Sequence, residues 1–351
     1  STVTHTGPQD SVNLYLGGIA GIAYSNSKIN SCGVSATVDT KLIGLDSEYA
    51  NVSNVGGIVG ANQGKLEKCY VGGENQKVSI KLLGKKSYLG GIAGNNEDSA
   101  EIVSSYCNAY SLQGYNVGGI VGNTSGYVRQ CDFEGFAKGH FLGGIAYQIS
   151  KGLVEDCYTN ARLEDDNAGA VITSLVYRIS YISGEAKNDQ PTIKHCYSSC
   201  SFSYNTKSQA YYETQPNARY EDATKKNNTK MGYILNCVYN RSVSEGASRS
   251  YFPYKNIFGF NLDGMNEADH PDLSASDIVN GKKGYVKRNS DNEVLDGNGC
   301  YLDIGLTEED IKTNNSQVFN SLGFSSDVWS FGGDNMPSIK SIQALKIQFG
   351  L

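Results

Sequence analysis

A short phrase built on a pair of glycines recurs along the chain and constrains its fold more than any other feature. Six copies occur, the last of them degenerate, and the first glycines of successive copies are 39, 34, 28, 25 and 26 residues apart. A constant unit with loops of variable length produces such a shrinking period, and self-similarity of this size indicates a stacked array. The copies span residues 16–21, 55–60, 89–94, 117–122, 142–147 and 168–173.

A second phrase follows the glycine pairs: an aliphatic residue, two other residues, then Cys or Ser. The spacing of three holds in all seven copies. A position that accepts Cys and Ser requires a small side chain, so we predict an interior ladder of unpaired thiols. Neighbours in such a ladder lie near the Cα separation that disulfides allow, so occasional disulfides between them are the alternative. The ladder residues are Cys32, Cys69, Ser105, Cys131, Cys157, Cys196 and Cys237.

A looser third element follows the ladder, for example at residues 33–38 and 77–80, so each unit offers three short runs. Their glycines disfavour helix by about 1 kcal/mol each relative to Ala, and their Val, Ile, Thr and Tyr favour strands. We therefore predict an all-β fold, a right-handed parallel β-helix of about seven or eight coils with three strands per coil. A β-propeller and a β-sandwich are the alternatives. The glycines expected at its corners are Gly17, Gly18, Gly56, Gly57, Gly90, Gly91, Gly118, Gly119, Gly143 and Gly144.

The chain divides into three parts. Residues 1–246 are the repeats, with a long loop excursion at 203–231, and residues 247–300 are an irregular excursion or the last coils. Residues 301–351 are predicted to be a C-terminal cap with a small helix that begins at Thr307 and ends near Gly323. We expect a short helix carrying Trp329, the only tryptophan, to plug the end of the stack.

Tyrosines in the first excursion are the predicted ligand-binding residues. Long loops on a rigid scaffold often bind ligands, and tyrosine rings among amide side chains suit sugars. The competing interpretation is that these aromatic residues shield the open end of the β-helix from edge pairing. The candidates are Tyr204, Tyr211, Tyr212 and Tyr220.

The sequence lacks the HExxH, GxSxG, P-loop and dinucleotide motifs, and we predict no catalytic residue. Arg162, Glu164, Asp165 and Asp166 are the nearest match to a polysaccharide-cleaving cluster, since paired carboxylates can act as acid and base. We expect them instead to form a solvated charged loop between coils.

We predict no metal site at His195, Cys196 and Cys200, because His195 and Cys196 point to opposite faces of an extended strand. Calcium is the one cofactor that the sequence leaves open, although neither acidic run fits the EF-hand pattern. Those runs are Asp263, Asn266, Glu267 and Asp269, and Asp291, Asn292 and Glu293.

The formal net charge of −6 and the lack of a basic run argue against nucleic acid as a partner. No segment has 18 uninterrupted apolar residues, so we expect no membrane insertion. The first residues are polar and have neither an initiator Met nor an apolar leader. The chain is therefore expected to be a monomeric piece of a longer protein.

The phrase GGIVGxNxGxLxxCYxxG at residues 56–73 resembles the GLUG repeat of bacterial surface proteins, and the ending with Leu322, Gly323 and Trp329 is similar to the segment that closes such arrays. The resemblance covers roughly residues 15–200 and 300–342. It implies a secreted or cell-wall-associated adhesin module or stalk, with a host glycan or extracellular protein as partner. The alternative it implies is a non-catalytic, substrate-positioning region of an immunoglobulin A-cleaving metallopeptidase.

Overall fold

The chain folds into a parallel β-helix, in which each strand pairs with its equivalents in the coils before and after it. The computed structural model describes residues 13–35, 38–39, 52–73, 77–82, 84–165, 171–173, 175–179, 191–203, 218–220, 233–240, 242–243, 275–280, 285–288, 294–300, 303–331 and 336–351. About seven coils are stacked, as predicted.

The strands of the first three coils are β1 (Leu14–Gly17), β2 (Ala20–Ala23), β3 (Lys28–Asn30), β4 (Gly33–Val34), β5 (Val38–Asp39), β6 (Ser53–Gly56), β7 (Val59–Asn62), β8 (Lys65–Glu67), β9 (Tyr70–Gly72), β10 (Ser79–Lys81), β11 (Tyr88–Gly90), β12 (Ala93–Asn96), β13 (Glu101–Val103) and β14 (Tyr106–Asn108). The later coils contain β15 (Ser111–Gly118), β16 (Val121–Thr124), β17 (Tyr127–Arg129), β18 (Asp132–Phe133), β19 (Phe136–Gly143), β20 (Ala146–Ile149), β21 (Leu153–Glu155), β22 (Tyr158–Thr159), β23 (Arg162–Asp165), β24 (Val171–Thr173), β25 (Val176–Ile179), β26 (Thr192–Lys194), β27 (Tyr197–Ser198), β28 (Ser201–Ser203), β29 (Ala218–Tyr220), β30 (Tyr233–Leu235) and β31 (Cys237–Asn240). The remaining elements are α1 (Ala275–Val279), β32 (Tyr285–Arg288), β33 (Val294–Cys300), β34 (Asp303–Leu306), α2 (Glu308–Ser321), β35 (Trp329–Ser330), β36 (Ser338–Ile339) and α3 (Lys340–Phe349).

The coils contribute to four stacked sheets, not to the three that the sequence predicts. Sheet 1 contains β1, β6, β11, β15, β19, β23 and β28 together with β5, β10 and β24; sheet 2 runs from β2 to β29, sheet 3 from β3 to β30, and sheet 4 from β4 to β34. The prediction treated the glycine phrase as one strand. In the structure the chain bends at the glycine pair, and the phrase supplies strands to both sheet 1 and sheet 2.

The glycine pair lies where neighbouring coils approach closely. The first glycines are in register from coil to coil, as in the pairing of Gly17 with Gly56 and of Gly56 with Gly90. A Cβ atom on Gly57 would overlap the carbonyl oxygen of Gly91 in the next coil. Glycine is therefore required at this position by space and not by a positive φ.

Aliphatic side chains fill the interior in rows that follow the coils. In the sheet 3 strands β8, β13 and β17 only the middle residue points inward; these residues are Leu66, Ile102 and Val128, and all three are fully buried. Burial of one such side chain stabilises the fold by about 1.5–3 kcal/mol. The repeated spacing of aliphatic residues thus builds one continuous core along the stack.

A left-handed corner connects sheet 3 to sheet 4 in every coil. The residue just before each ladder position has φ between 50° and 54°, and none of these residues is glycine. This conformation costs an ordinary L-residue roughly 1–2 kcal/mol. The corner residues are Ser31, Lys68, Ser104, Gln130, Asp156, His195 and Asn236.

The C-terminal segment begins with the predicted helix. Thr307 and Asp310 form a capping box at the start of α2, and Gly323, with φ 84°, follows its end. Trp329 lies in β35 and not in a helix, so that part of the prediction is wrong. The segment packs along the outer side of sheet 4 rather than acting only as a plug at the end of the stack. Phe319 contacts Tyr197 of β27, and Phe349 contacts Tyr70 of β9.

The two predicted excursions contain regular structure. Residues 218–220 form β29, the last strand of sheet 2, so the loop predicted at 203–231 is interrupted by a coil. Within 247–300, β32 and β33 form an antiparallel pair, and Ile278 of α1 joins the hydrophobic cluster beneath the C-terminal segment. No helix in the described part of the chain is long and apolar enough to cross a membrane.

Candidate functional site

The structure does not bring the four predicted tyrosines into a described surface. Tyr204, Tyr211 and Tyr212 lie outside the described residues. Tyr220 ends β29, where its backbone pairs with Ile179. Ligand binding by these tyrosines stays a prediction. The two acidic runs at which the sequence leaves calcium open also lie outside the described residues.

The predicted acidic cluster forms a strand and not a loop. Residues Arg162–Asp165 are β23, which pairs with β19 and β28; Asp166 lies outside the described residues. The Glu164 carboxylate accepts hydrogen bonds from Lys138 and Arg162. The hydrogen bond from Lys138 and the nearby positive charges lower the pKa of Glu164. Glu164 is therefore ionised and engaged at neutral pH, unlike a general acid.

The ladder residues lie inside the coils, except Cys32, which is partly exposed. The eight cysteines whose side chains the structure describes are all free thiols. The thiol of Cys131 donates to the carbonyl oxygen of Arg129 at 3.3 Å, and the hydroxyl of Ser105 donates in the same way to Val103 at 3.0 Å. This shared bond explains why the position accepts Cys or Ser. Burial raises the pKa of Cys69 to about 12, so its thiol is protonated at neutral pH.

The residues of the rejected zinc site point in different directions. The His195 ring lies on the outside, 5.6 Å from the ring of Phe324, and burial lowers the His195 pKa. Cys196 is in the interior ladder, and the thiol of Cys200 is 3.3 Å from the Thr159 hydroxyl. Within the described residues, no three His, Cys, Asp or Glu side chains are arranged to hold a metal ion.

A groove of about 710 Å³ runs along the corner between sheet 4 and sheet 1, and we call it the corner groove. It crosses four successive coils, and each coil supplies equivalent positions. One wall is a row of polar residues and the other a mixed row that begins the sheet 1 strands. The first row is Asn108, Glu134, Asn160 and Ser199; the second contains Ser111, Phe136, Arg162 and Ser201, with Tyr110 and Val243 at the rim.

Small residues form the floor of the corner groove. Ala109 and Ala161 are almost completely buried, with Gly135 between them. A Cβ atom on Gly135 would lie 2.5 Å from the carbonyl oxygen of Ala109. The floor therefore has no space for a larger side chain, and the two rows of larger side chains project above it.

Two aromatic rings line the groove, and a cation lies over each. Tyr110 is an extra residue, because four residues lie between Cys107 and Leu112 whereas three lie between their partners Phe133 and Ala137. Its side chain projects from the corner and is 58% exposed. The Lys77 ammonium is 5.2 Å from the Tyr110 ring centroid, and the Arg162 guanidinium is 5.4 Å from that of Phe136.

The one carboxylate that lines the groove, among its described residues, is Glu134. It accepts hydrogen bonds from the Tyr106 hydroxyl at 2.8 Å and from Lys346 of α3 at 2.7 Å. Burial and the Glu134 charge raise the pKa of Tyr106 far above its ordinary value. Carboxylate-based glycoside hydrolysis requires two groups. The corner groove presents one, which is already paired, so its chemistry suits binding.

The sequence carries a signal for this groove that lies outside the two repeat phrases. In four successive coils the residue three positions after the ladder is polar and the next is small: Asn108 and Ala109, Glu134 and Gly135, Asn160 and Ala161, Ser199 and Cys200. The repeat phrases end at the ladder residue and therefore do not include either row.

Comparisons with protein-family models, with curated proteins and with solved structures find no match for this chain.

Proposed function

We propose that this chain is a non-enzymatic module of a secreted bacterial cell-surface protein that binds a glycan in the corner groove. The β-helix is the stiff stalk that presents the groove. The observation that carries the proposal is that the exposed Tyr110 ring and the partly buried Phe136 ring lie beside amide and hydroxyl side chains above a floor of small residues. The resemblance to GLUG repeats supports the extracellular setting.

The groove side chains match the two kinds of surface that a sugar offers. The faces of Tyr110 and Phe136 suit the apolar C–H faces of a sugar ring. Asn108, Asn160 and Ser201 carry donors and acceptors for its hydroxyl groups. Ligand sites commonly combine apolar surface with a few placed polar groups in this way.

The scaffold fixes the backbone that carries these side chains before a ligand arrives. The backbone N–H of Glu134 donates to Cys107 at 3.0 Å, that of Asn160 to Phe133 at 3.0 Å, and that of Arg162 to Gly135 at 3.1 Å. A backbone fixed by such bonds loses little further freedom on binding, which favours affinity. A polysaccharide-cleaving enzyme fits less well, because one paired carboxylate lines the groove.

A glycan-array screen of the purified chain tests the proposal. The test variant is Tyr110→Ala, and the matched control is Tyr24→Ala, which removes a 66% exposed tyrosine from a turn in the first coil. We expect selective binding by the wild type, loss of that binding in Tyr110→Ala and retention in Tyr24→Ala. An array on which the wild type binds nothing would overturn the proposal. If the double variant Tyr211→Ala with Tyr212→Ala abolishes binding and Tyr110→Ala does not, the site lies instead in the 203–231 segment.

A further inference from the structure

We infer that the corner groove selects acidic glycans, and that Arg162 receives their carboxylate or sulfate group. This inference rests on the glycan-binding function proposed above. It concerns the class of ligand, which neither the fold nor the aromatic rings determine.

Arg162 is the accessible cation in the groove wall. It is the first residue of β23, and its side chain is 63% exposed. Its Nη2 group donates to Glu164 at 3.1 Å. A guanidinium has five N–H donors in a planar fork, so donors remain for a carboxylate or sulfate, the groups that this fork matches best.

Among the side chains that the structure describes around Arg162, the charges leave a positive excess. Arg162 and Lys138 share one carboxylate, that of Glu164, and the lowered pKa of Glu164 keeps it ionised at neutral pH. Two cations and one anion give a local charge of about +1. On the opposite wall the Glu134 carboxylate is paired with Lys346, which weakens its repulsion of an anionic ligand.

The neighbours of Arg162 define how a glycan would lie. Phe136, Arg162 and Ser201 are in register in successive coils, which are spaced by about 4.8 Å. The Phe136 ring lies against the guanidinium and restricts its orientation. A glycan along the groove would stack on Tyr110 and Phe136 and place its acidic group beside Arg162, with Asn160 and Ser201 available for hydroxyl groups.

The test compares glycans in matched pairs: one oligosaccharide with and without a terminal carboxylated sugar, and another with and without a sulfate. The variants are Arg162→Gln, which removes the charge, and Arg162→Lys, which keeps the charge without the fork. Lys28→Gln is the control for net charge, since Lys28 is a half-exposed cation in the first coil. Thermal unfolding of each variant confirms that the fold is retained.

We expect the wild type to bind the acidic member of a pair about 10- to 100-fold more tightly. Arg162→Gln should bind the two members of a pair with equal affinity, Arg162→Lys should retain part of the preference, and Lys28→Gln should match the wild type. Equal binding of both members, or an unchanged preference in Arg162→Gln, would overturn the inference while the glycan-binding proposal stands. No binding to any glycan, or binding to polyglutamate instead, would overturn both.

Discussion

The indole Nε1–H of Trp329 donates a hydrogen bond of 2.9 Å to Oδ1 of Asp156, although 173 residues separate the two in sequence. Asp156 is one of the left-handed corner residues, with φ 52°, and Trp329 is 1% exposed. Other corner residues also contact the C-terminal segment: Ser341 donates to Gln130 at 3.3 Å, and Phe324 packs on His195. The row of corners is therefore, together with the outer side of sheet 4, part of the surface on which the C-terminal segment lies.

Trp329→Phe should lower the free energy of unfolding by about 1–3 kcal/mol, because it leaves the partly buried Asp156 carboxylate without its indole donor. Chemical denaturation measures the loss. The double variant with Asp156→Asn should lose less than the sum of the two single variants, by about 1 kcal/mol. Strict additivity would mean that the two side chains do not interact in solution.

The stability of the docked segment should depend on pH through Asp156. Burial raises the Asp156 pKa from its ordinary 3.8 to about 6, against the opposing effect of the Trp329 hydrogen bond. A carboxyl with a raised folded-state pKa contributes stability that is present below pH 4 and lost as pH rises through 6.

Unfolding free energies of wild type and Asp156→Asn between pH 4 and pH 8 test this prediction. The wild type should lose about 1 kcal/mol relative to the variant over that range, a value that allows for the partial exposure of Asp156. His195 contributes equally to both proteins, so its effect on the pH dependence disappears when the two unfolding free energies are subtracted. Its lowered pKa would otherwise act in the opposite direction. If the unfolding free energies of the two proteins changed equally with pH, Asp156 would not be the group responsible for the pH dependence.

Gly57→Val and Gly119→Val should each destabilise the β-helix by at least about 3 kcal/mol, because a Cβ at either position overlaps a carbonyl oxygen of the next coil. Gly21→Ala is the milder control, since its Cβ would lie 3.0 Å from the Tyr15 carbonyl oxygen and no closer to any other atom. Equal melting temperatures for all three variants would argue against the stacked coils.

Lys68→Asn should stabilise the protein by about 0.5–1 kcal/mol. Lys68 is exposed and has φ 54°, a conformation that asparagine adopts at lower cost than lysine. The same substitution at Lys65, in the extended strand β8, should instead destabilise, because asparagine disfavours strands. Equal effects of the two substitutions in denaturant titrations would contradict the left-handed corner.

The repeat phrases were sufficient to predict the stacked coils, because they mark the close backbone approach at Gly57 and the small interior position of Ser105. The fourth sheet was missed because a bend at a glycine pair has no sequence signature distinct from a continuous strand. Docking of Trp329 on Asp156 could not be predicted either, because the corner row contains Ser, Lys, Gln, Asp, His and Asn without a pattern.

The corner groove could be predicted from the sequence only in part. Its polar and small rows were readable from spacing, as at Asn160 and Ala161. Tyr110 was not, because it is an insertion that the repeat alignment treats as loop. Side chains that interrupt a repeat are therefore the places where the sequence pattern is least informative and the structure adds most.

The most direct test of the account is the affinity of wild type, Tyr110→Ala and Tyr24→Ala for one glycan selected on the array. Isothermal titration should give equal affinities for wild type and Tyr24→Ala and an affinity about tenfold or more lower for Tyr110→Ala, the effect of removing a stacked aromatic ring. Equal affinities for all three proteins would contradict binding in the corner groove.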